Sequence, residues 1–317
     1  MVTIVGNVKP EDDYTHTLGP EENFNESVYF NFFDREQRLG GFIRMGNRAN
    51  EGHAEMTVIV YQPDGSALFN YKRPQITTND GWDAGGAKVE VLVPGEKIRT
   101  TYEGSVVYLK DPREMRDPST AFKENPHRRL KLDLIHDGVG AIYGHVADES
   151  SGNDFARPHY EQHMRVSGTI QLDDEPPMTL TGHGLRDHSW GPRYWQSTPS
   201  YRWITGNFGD DLGMVISVVG DRVGGVFQKG KDEIVQIVDA KVDTEYEGNT
   251  NYHRGLRATV KLANGEEHVV DGDVQGFIPL RNRRAGMFTH IGEGMTEYRL
   301  DGKRVGYGLS EYLDQAE

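Results

Sequence analysis

Apolar and polar residues alternate with a period of two in segment after segment of this chain. Lys88–Val93 puts Val89, Val91 and Val93 on one face, and Arg129–Ile135 does the same with Leu130, Leu132 and Leu134. Successive side chains of a strand point to opposite faces, so this pattern predicts half-buried β-strands. Ser27–Phe33, rich in Tyr and Phe, and the β-branched Glu55–Tyr61 read the same way, as do Ala67–Tyr71, Met164–Leu172, Glu233–Val242 and Gly255–Leu262. Gly213–Val219 is almost wholly apolar, which predicts a strand buried on both sides. Turn chemistry separates the runs. Gln62-Pro63-Asp64-Gly65 combines a fixed φ at Pro with a Gly that accepts positive φ, while Asn264-Gly265 and Asp301-Gly302 suit short hairpin turns.

No long amphipathic helix is readable. Helical turns are expected only at Ser310–Gln315 and Asp154–His163, and the polar stretch Asp111–Pro126, with its two prolines, reads as a long loop placed like a lid. Residues 1–25 read as an arm or an edge strand. Many short antiparallel strands and 38 glycines give an all-β fold of barrels or sandwiches. The polar segment Asp173–Pro177 marks a boundary, which predicts one domain over residues 1–170 and a second over 171–317.

Composition narrows the function. The chain has 317 residues and a net charge of −14, from 35 basic and 49 acidic side chains, which argues against nucleic acid or an anionic membrane as a partner. Without cysteine there is no disulfide, thiolate chemistry or Cys-ligated metal. Met1–Glu22 lacks a basic segment followed by an apolar run, and no window is apolar enough for a membrane span, so a cytoplasmic protein without stable membrane insertion is expected. A homodimer remains open.

The stretch Gly182–Trp203 concentrates the candidate chemistry. It holds three of the chain's 4 Trp, the pair Asp187-His188, three arginines and two tyrosines. Large rings are costly to leave in water, so aromatic walls with a few ionisable groups suit a ligand pocket. The same residues also suit a structural role: Asp187 bonded to backbone amides or to Arg193, and Trp190 plugging a barrel end. His159 and His163, with Glu161 between them, lack the His-Glu-x-x-His order of a helical metal site, and a site at His183, Asp187 and His188 has no recognisable ligand motif. No metal and no cofactor are therefore expected. The Gly-rich pieces Gly81–Gly86 and Gly220–Gly225 lack the context of a phosphate loop, and no Gly-x-Ser-x-Gly elbow occurs. Glu297 and Glu311 sit among tyrosines in the last strands, where one of them can reach a pocket mouth.

At Asp187-His188-Ser189-Trp190-Gly191 the sequence resembles the superfamily of hydroxyneurosporene synthase (carotenoid hydratase) and AttH-like proteins, which also contains kievitone-hydratase-like members. Those proteins carry an Asp-His-x-Trp-Gly motif and are built of two lipocalin-like β-domains. The match is specific over about Gly182–Trp203. Leu39–Arg48 and Tyr307–Tyr312 resemble a bacterial branch of uncharacterised function. The resemblance implies acid–base chemistry on apolar unsaturated molecules: an acid protonates a C=C bond, a cation forms beside aromatic walls, and a His-held water attacks. It implies that His188 holds water and that Trp190 faces the cation. The hydratases place a Tyr-x-Asp acid pair on the strand after the motif. Here that strand reads Gly213-Met214-Val215-Ile216-Ser217, without an acid, so Asp187 or Glu161 has to serve.

These readings combine into one expectation. Two lipocalin-like antiparallel barrel or sandwich domains flank a site at their junction, with His188 and Asp187 catalytic. Trp190, Arg193, Tyr194, Trp195, Arg202, Trp203 and Glu161 bind substrate. The activity is that of a cofactor-independent lyase or isomerase, hydratase–dehydratase-like or cyclase-like, on a terpenoid, steroid or phenylpropanoid-like molecule. The alternatives are a non-catalytic carrier of a hydrophobic small molecule and a scaffold whose motif is purely structural.

Overall fold

The computed structural model describes residues 2–146, 158–193, 198–284 and 286–316. The fold is all-β, in two units. The first contains β1 (Ile4–Gly6), β2 (Glu26–Asp34), β3 (Leu39–Arg48), β4 (His53–Tyr61), β5 (Ala67–Lys72), β6 (Trp82–Ala84), β7 (Ala87–Val93), β8 (Lys97–Leu109), β9 (His127–Gly138), β10 (Ile142–His145), β11 (His159–Leu172) and β12 (Met178–Ser189). Its pairings close a ring, β9-β11-β12-β2-β3-β4-β5-β8 and back to β9. The β6–β7 hairpin hangs from β8, and β10 with the parallel edge strand β1 extends from the start of β11.

The second unit is a closed antiparallel barrel of β13 (Ser200–Asn207), β14 (Leu212–Val219), β15 (Arg222–Lys229), β16 (Glu233–Tyr246), β17 (His253–Leu262), β18 (Glu267–Arg284), β19 (Met287–Leu300) and β20 (Arg304–Ala316). Among the described residues, no helix is long and apolar enough to cross a membrane.

Each unit fills itself with every second residue. Val28, Phe30 and Phe32 of β2 pack with Leu130, Leu132 and Leu134 of β9 inside the first ring. Ile204, Met214, Ile216 and Phe227 do the same inside the barrel. The alternate residues of β2 are buried too. Tyr29 and Phe33 join Phe42, Ile59 and Phe69 in a cluster completed by Ile278, Met295 and Leu309 of the barrel. That cluster of outer-wall side chains joins the two units, and burial of each large side chain contributes about 1.5–3 kcal/mol. Close backbone approach tightens the joint at Gly213, where a Cβ would lie 2.4 Å from the ring of His163.

The turns follow their sequence signals. Gly65 has φ +86° and donates to the Gln62 carbonyl. Asp301 and Gly302 both have positive φ, as a primed hairpin turn requires. Three expectations change. Ser310–Gln315 belongs to β20, and His159–His163 opens β11 rather than a helix (residues 154–157 lie outside the described residues). Asp111–Pro126 contains a 3-10 turn at Pro112–Arg116 and the helix α1 (Pro118–Glu124), each begun at a proline. The expected boundary after residue 170 also moves. Asp173–Pro177 only turns β11 into β12, and these two strands pair along most of their length, so the chain changes units between Ser189 and Ser200. The Asp187-His188 motif therefore closes the first unit instead of opening the second.

Candidate functional site

A cleft of about 950 Å3 lies between the two outer walls. Its first wall is a single row of cross-strand neighbours. Tyr143 of β10 pairs with Glu161, Glu161 with Asp187, Asp187 with Tyr29, Tyr29 with Arg44, Arg44 with Thr57 and Thr57 with Tyr71. All seven line the cleft. Its second wall is the matching row of the barrel, Gly224, Ser217, Trp203, Glu311 and Glu293. Phe42, Phe69, Met115, Phe122, Leu280 and Ile291 add apolar surface, so residues from the loop read as a lid do reach the cleft.

Ionisable groups on both rows are forced into unusual states. On the first, His159 Nε2 contacts Asp187 Oδ2 and lies 3.7 Å from Glu161 Oε1. Burial opposes charge on His159, but Asp187 and then Glu161 outweigh it and hold the imidazole up to about 9. Burial also opposes ionisation of Asp187, which His159 and Arg193 nonetheless hold low. Glu161 goes the other way. Burial, reinforced by the Asp187 charge, outweighs His159 and the Trp203 bond and raises it to about 7. Trp203 Nε1 donates to Glu161 Oε1 at 2.8 Å, so the barrel wall holds the carboxyl of the first wall.

On the barrel side, Glu293 and Glu311 are neighbours on β19 and β20 and bond to each other. Burial pushes both up, and the proximity of a second carboxyl pushes Glu293 further, because two adjacent buried carboxyls do not both ionise. The Tyr201 hydroxyl donates to Glu311 Oε1. One wall thus pushes a carboxyl pair toward its protonated form, and the other holds a carboxyl at about 7 beside an ion pair. That division of states is the requirement for acid and base to act together.

His188 is not part of this cleft. Asp187 and His188 are consecutive on a strand, so they face opposite sides, and His188 is only 2% exposed on the inner side. Its Nε2 bonds Glu26 Oε1 at 2.6 Å and its Nδ1 lies 3.2 Å from the Tyr160 hydroxyl. Tyr160 and Arg186 both donate to Asp13 Oδ1, and His16 Nδ1 bonds Glu26 Oε1 at 2.8 Å. Trp190 stacks on His16 with ring centroids 3.8 Å apart and an angle of 12°. The motif's His188 and Trp190 therefore pin the N-terminal segment to the sheet, and the expected water-holding and cation-facing roles do not fit their position.

Other expected residues divide similarly. Asp187, Glu161, Arg193 and Trp203 line the cleft. Arg202 points away from it, pairing with Asp314 at 2.9 Å and lying 4.4 Å over the Tyr312 ring, because it alternates with Tyr201 and Trp203. Tyr194 and Trp195 lie outside the described residues. His163 bonds Asn207 Oδ1 at 2.8 Å, and a spacing of four on a strand separates it from His159. His183 pairs with Asp210.

Among the described residues, two groups place three potential metal ligands within 4.8 Å: His159 with Glu161 and Asp187, and His16 with Glu26 and His188. Neither matches the groupings weighed from sequence. In the second, both nitrogens of His188 already have partners and the group is closed by Trp190 and Trp82. The first faces the cleft and offers one imidazole and two carboxylates, a mixed donor set that borderline divalent cations such as zinc or iron accept.

The sequence reading passed over Tyr29, Arg44, Tyr201 and Glu293 as site residues. The signal the sequence offers is Glu293 flanked by Gly292 and Gly294; of Glu297 and Glu311, either of which is expected to reach a pocket mouth, Glu311 lines the cleft.

Comparison with known proteins matches residues 9–316 to the family DUF7064, a domain of unknown function. No curated protein matches by sequence. Solved structures share the fold. A Nitrosomonas europaea protein described as an AttH candidate superposes with a TM-score of 0.63 at 16% identity, over 98% of each chain. Kievitone hydratase from Nectria haematococca gives 0.56 at 11% identity, covering 99% of this chain and 97% of its own. CghA gives 0.55 at 11%, covering 96% and 94%. The AttH-like part of the resemblance is thus met at the level of fold. Nothing among the three bears on hydroxyneurosporene synthase.

Proposed function

The chain belongs to the DUF7064 family, and we propose that it is a cofactor-independent lyase of the hydratase–dehydratase type acting on an apolar unsaturated small molecule. The observation that carries the reading is Glu161, held at about 7 in an aromatic cleft and faced on the other wall by a carboxyl pair that burial pushes toward its protonated form. The Glu293–Glu311 pair gives its proton to one carbon of a C=C bond. The electron-rich faces of Trp203 and Tyr29 stabilise the cation that forms. Water adds to the other carbon and loses its proton to Glu161, which the His159–Asp187 ion pair orients. Glu161 releases that proton to solvent and solvent returns one to the carboxyl pair, so the sum is addition of one water, and the reverse sequence is elimination. The name of kievitone hydratase, a protein of the same fold, is consistent with this class of reaction.

The test is a panel of unsaturated terpenoids, steroids and phenylpropanoids incubated in water labelled with heavy oxygen. The expected result is a product carrying one labelled water from the parent protein and none from Glu161→Gln or Glu311→Gln, both still binding the compound. A compound that binds the parent tightly and is returned unchanged would identify a carrier instead.

A further inference from the structure

Three side chains of the first wall converge where β11 begins. His159 and Glu161 are two apart on β11, so they share a face, and Glu161 lies directly across from Asp187 on β12. All three line the cleft. One ligand atom from each lies within 4.8 Å of the other two. His159 Nε2 and Glu161 Oε1 are 3.7 Å apart. A tetrahedral cation with bonds of about 2.0–2.2 Å sets its ligand atoms about 3.4 Å from one another, so this pair already stands close to the required spacing. Asp187 Oδ2, bonded directly to His159 Nε2, reaches that spacing by turning its carboxylate away from the ring.

The surroundings also suit a bound cation. Glu161 is only 6% exposed, Trp203 Nε1 donates to its Oε1 at 2.8 Å, and among the described residues nothing donates to its Oε2. A buried carboxyl with one oxygen held from the facing barrel and the other without a donor is oriented as metal ligands are by their outer partners. The His159 side chain is 39% exposed, which leaves an approach from the cleft. Arg193, bonded to Ser189 Oγ at 2.9 Å, lies within electrostatic reach of Asp187 and opposes a further positive charge. Occupancy is therefore exchangeable rather than permanent. One imidazole with two carboxylates and no thiolate selects zinc or ferrous iron over soft cations, which want sulfur, and over magnesium, which gains little from nitrogen.

We propose that His159, Glu161 and Asp187 form a reversible site for one borderline divalent cation, zinc or ferrous iron, with three protein ligands and an open position facing the cleft. The site goes beyond the proposed hydration and does not depend on it. A cation on Glu161 takes the lone pairs that would accept a proton, so the two uses of Glu161 exclude each other and that reaction belongs to the cation-free protein.

The test starts from the parent protein stripped with a chelator. It is titrated with zinc chloride in a calorimeter, with magnesium chloride as the matched control and cobalt chloride as the absorbing probe. The expected result is one zinc per chain, with magnesium at least about tenfold weaker. Cobalt should lose the spectrum of its hydrated ion for that of a site with four or five ligands. Glu161→Gln, Asp187→Asn and His159→Ala should each weaken zinc at least about tenfold. His183→Ala, which breaks a second His–Asp pair at Asp210, should leave zinc binding unchanged. No saturable zinc binding, magnesium bound as tightly as zinc, or zinc affinity unchanged in all three cleft variants overturns the proposal. The titrations of the parent need no variant, and Glu161→Gln and Asp187→Asn keep the shape of the side chain, so the outcome stands even if His159→Ala fails to fold. One zinc at this site with turnover raised by it would overturn the role of Glu161 as a free base and leave the cation site in place.

Discussion

On the inner face of β11 and β12, Glu26 sits between His16 and His188; on the outer face of the same strands, Glu161 sits beside Asp187 and His159. Both carboxyls are buried, and burial opposes the charge of both. Glu26 nonetheless falls to about 2, because two imidazoles outweigh the desolvation. Glu161 rises to about 7, because its one imidazole is shared with Asp187 and the Asp187 charge adds to the penalty. The inner group is satisfied and fixed in one protonation state. The outer group is left divided between two. Polar burial alone thus does not mark a functional site. The state in which burial leaves a group does.

The largest expected effect that sharpens this contrast is on rate. Glu161→Gln should lower turnover by about 100- to 10,000-fold, with a melting temperature equal to or above the parent's, measured on the substrate the labelled-water panel provides. An unchanged rate would remove Glu161 from the chemistry.

His188→Ala should do the opposite. Leaving Glu26 and Tyr160 without their partner is expected to cost about 3–5 kcal/mol in denaturant unfolding, with turnover per folded molecule unchanged. Loss of turnover at full stability would return His188 to the site.

A third effect separates the faces by pH. The folded state raises Glu161, so it holds that proton more tightly than the unfolded chain does. The associated stability is complete below the unfolded value and is lost as pH rises through about 7. Glu161 should thus make the protein about 3 kcal/mol less stable above that window than below it, a slope that Glu161→Gln flattens. Glu26 is lowered, so its contribution is present above its unfolded value and is lost only in acid, toward about 2.

The smallest effect is at Trp203. Its hydrogen bond favours ionised Glu161, so Trp203→Phe should move the pH limb of the rate upward at a stability cost of about 1 kcal/mol. A downward move would mean that the indole holds the protonated form.

Much of the fold was legible from period-two patterning. Leu130, Leu132 and Leu134 do point into the first ring, and Asp301-Gly302 does make its turn. The two barrels were not separable at the right residue, because a polar hairpin turn such as Asp173–Pro177 has the composition of a linker. The site was half legible. The crowded stretch around Asp187 supplies Asp187, Arg193 and Trp203 to one cleft, which Glu161 lines as well. Which of two consecutive polar residues faces that cleft depends on the register against β2 and β11, and the sequence of β12 is polar on both faces at Arg186-Asp187-His188. The partner wall was hidden for a related reason. Glu293 and Glu311 become neighbours only when β19 and β20 pair, and nothing local to either residue announces it.

The most direct measurement is a site-resolved titration. Carboxyl-labelled glutamate is followed by NMR between about pH 5 and pH 9 in the parent, Glu161→Gln and Glu26→Gln. The account predicts that the signal missing from Glu161→Gln titrates near 7, and that the signal missing from Glu26→Gln stays at its ionised position throughout. A Glu161 signal already ionised at the acid end of that range would contradict the account.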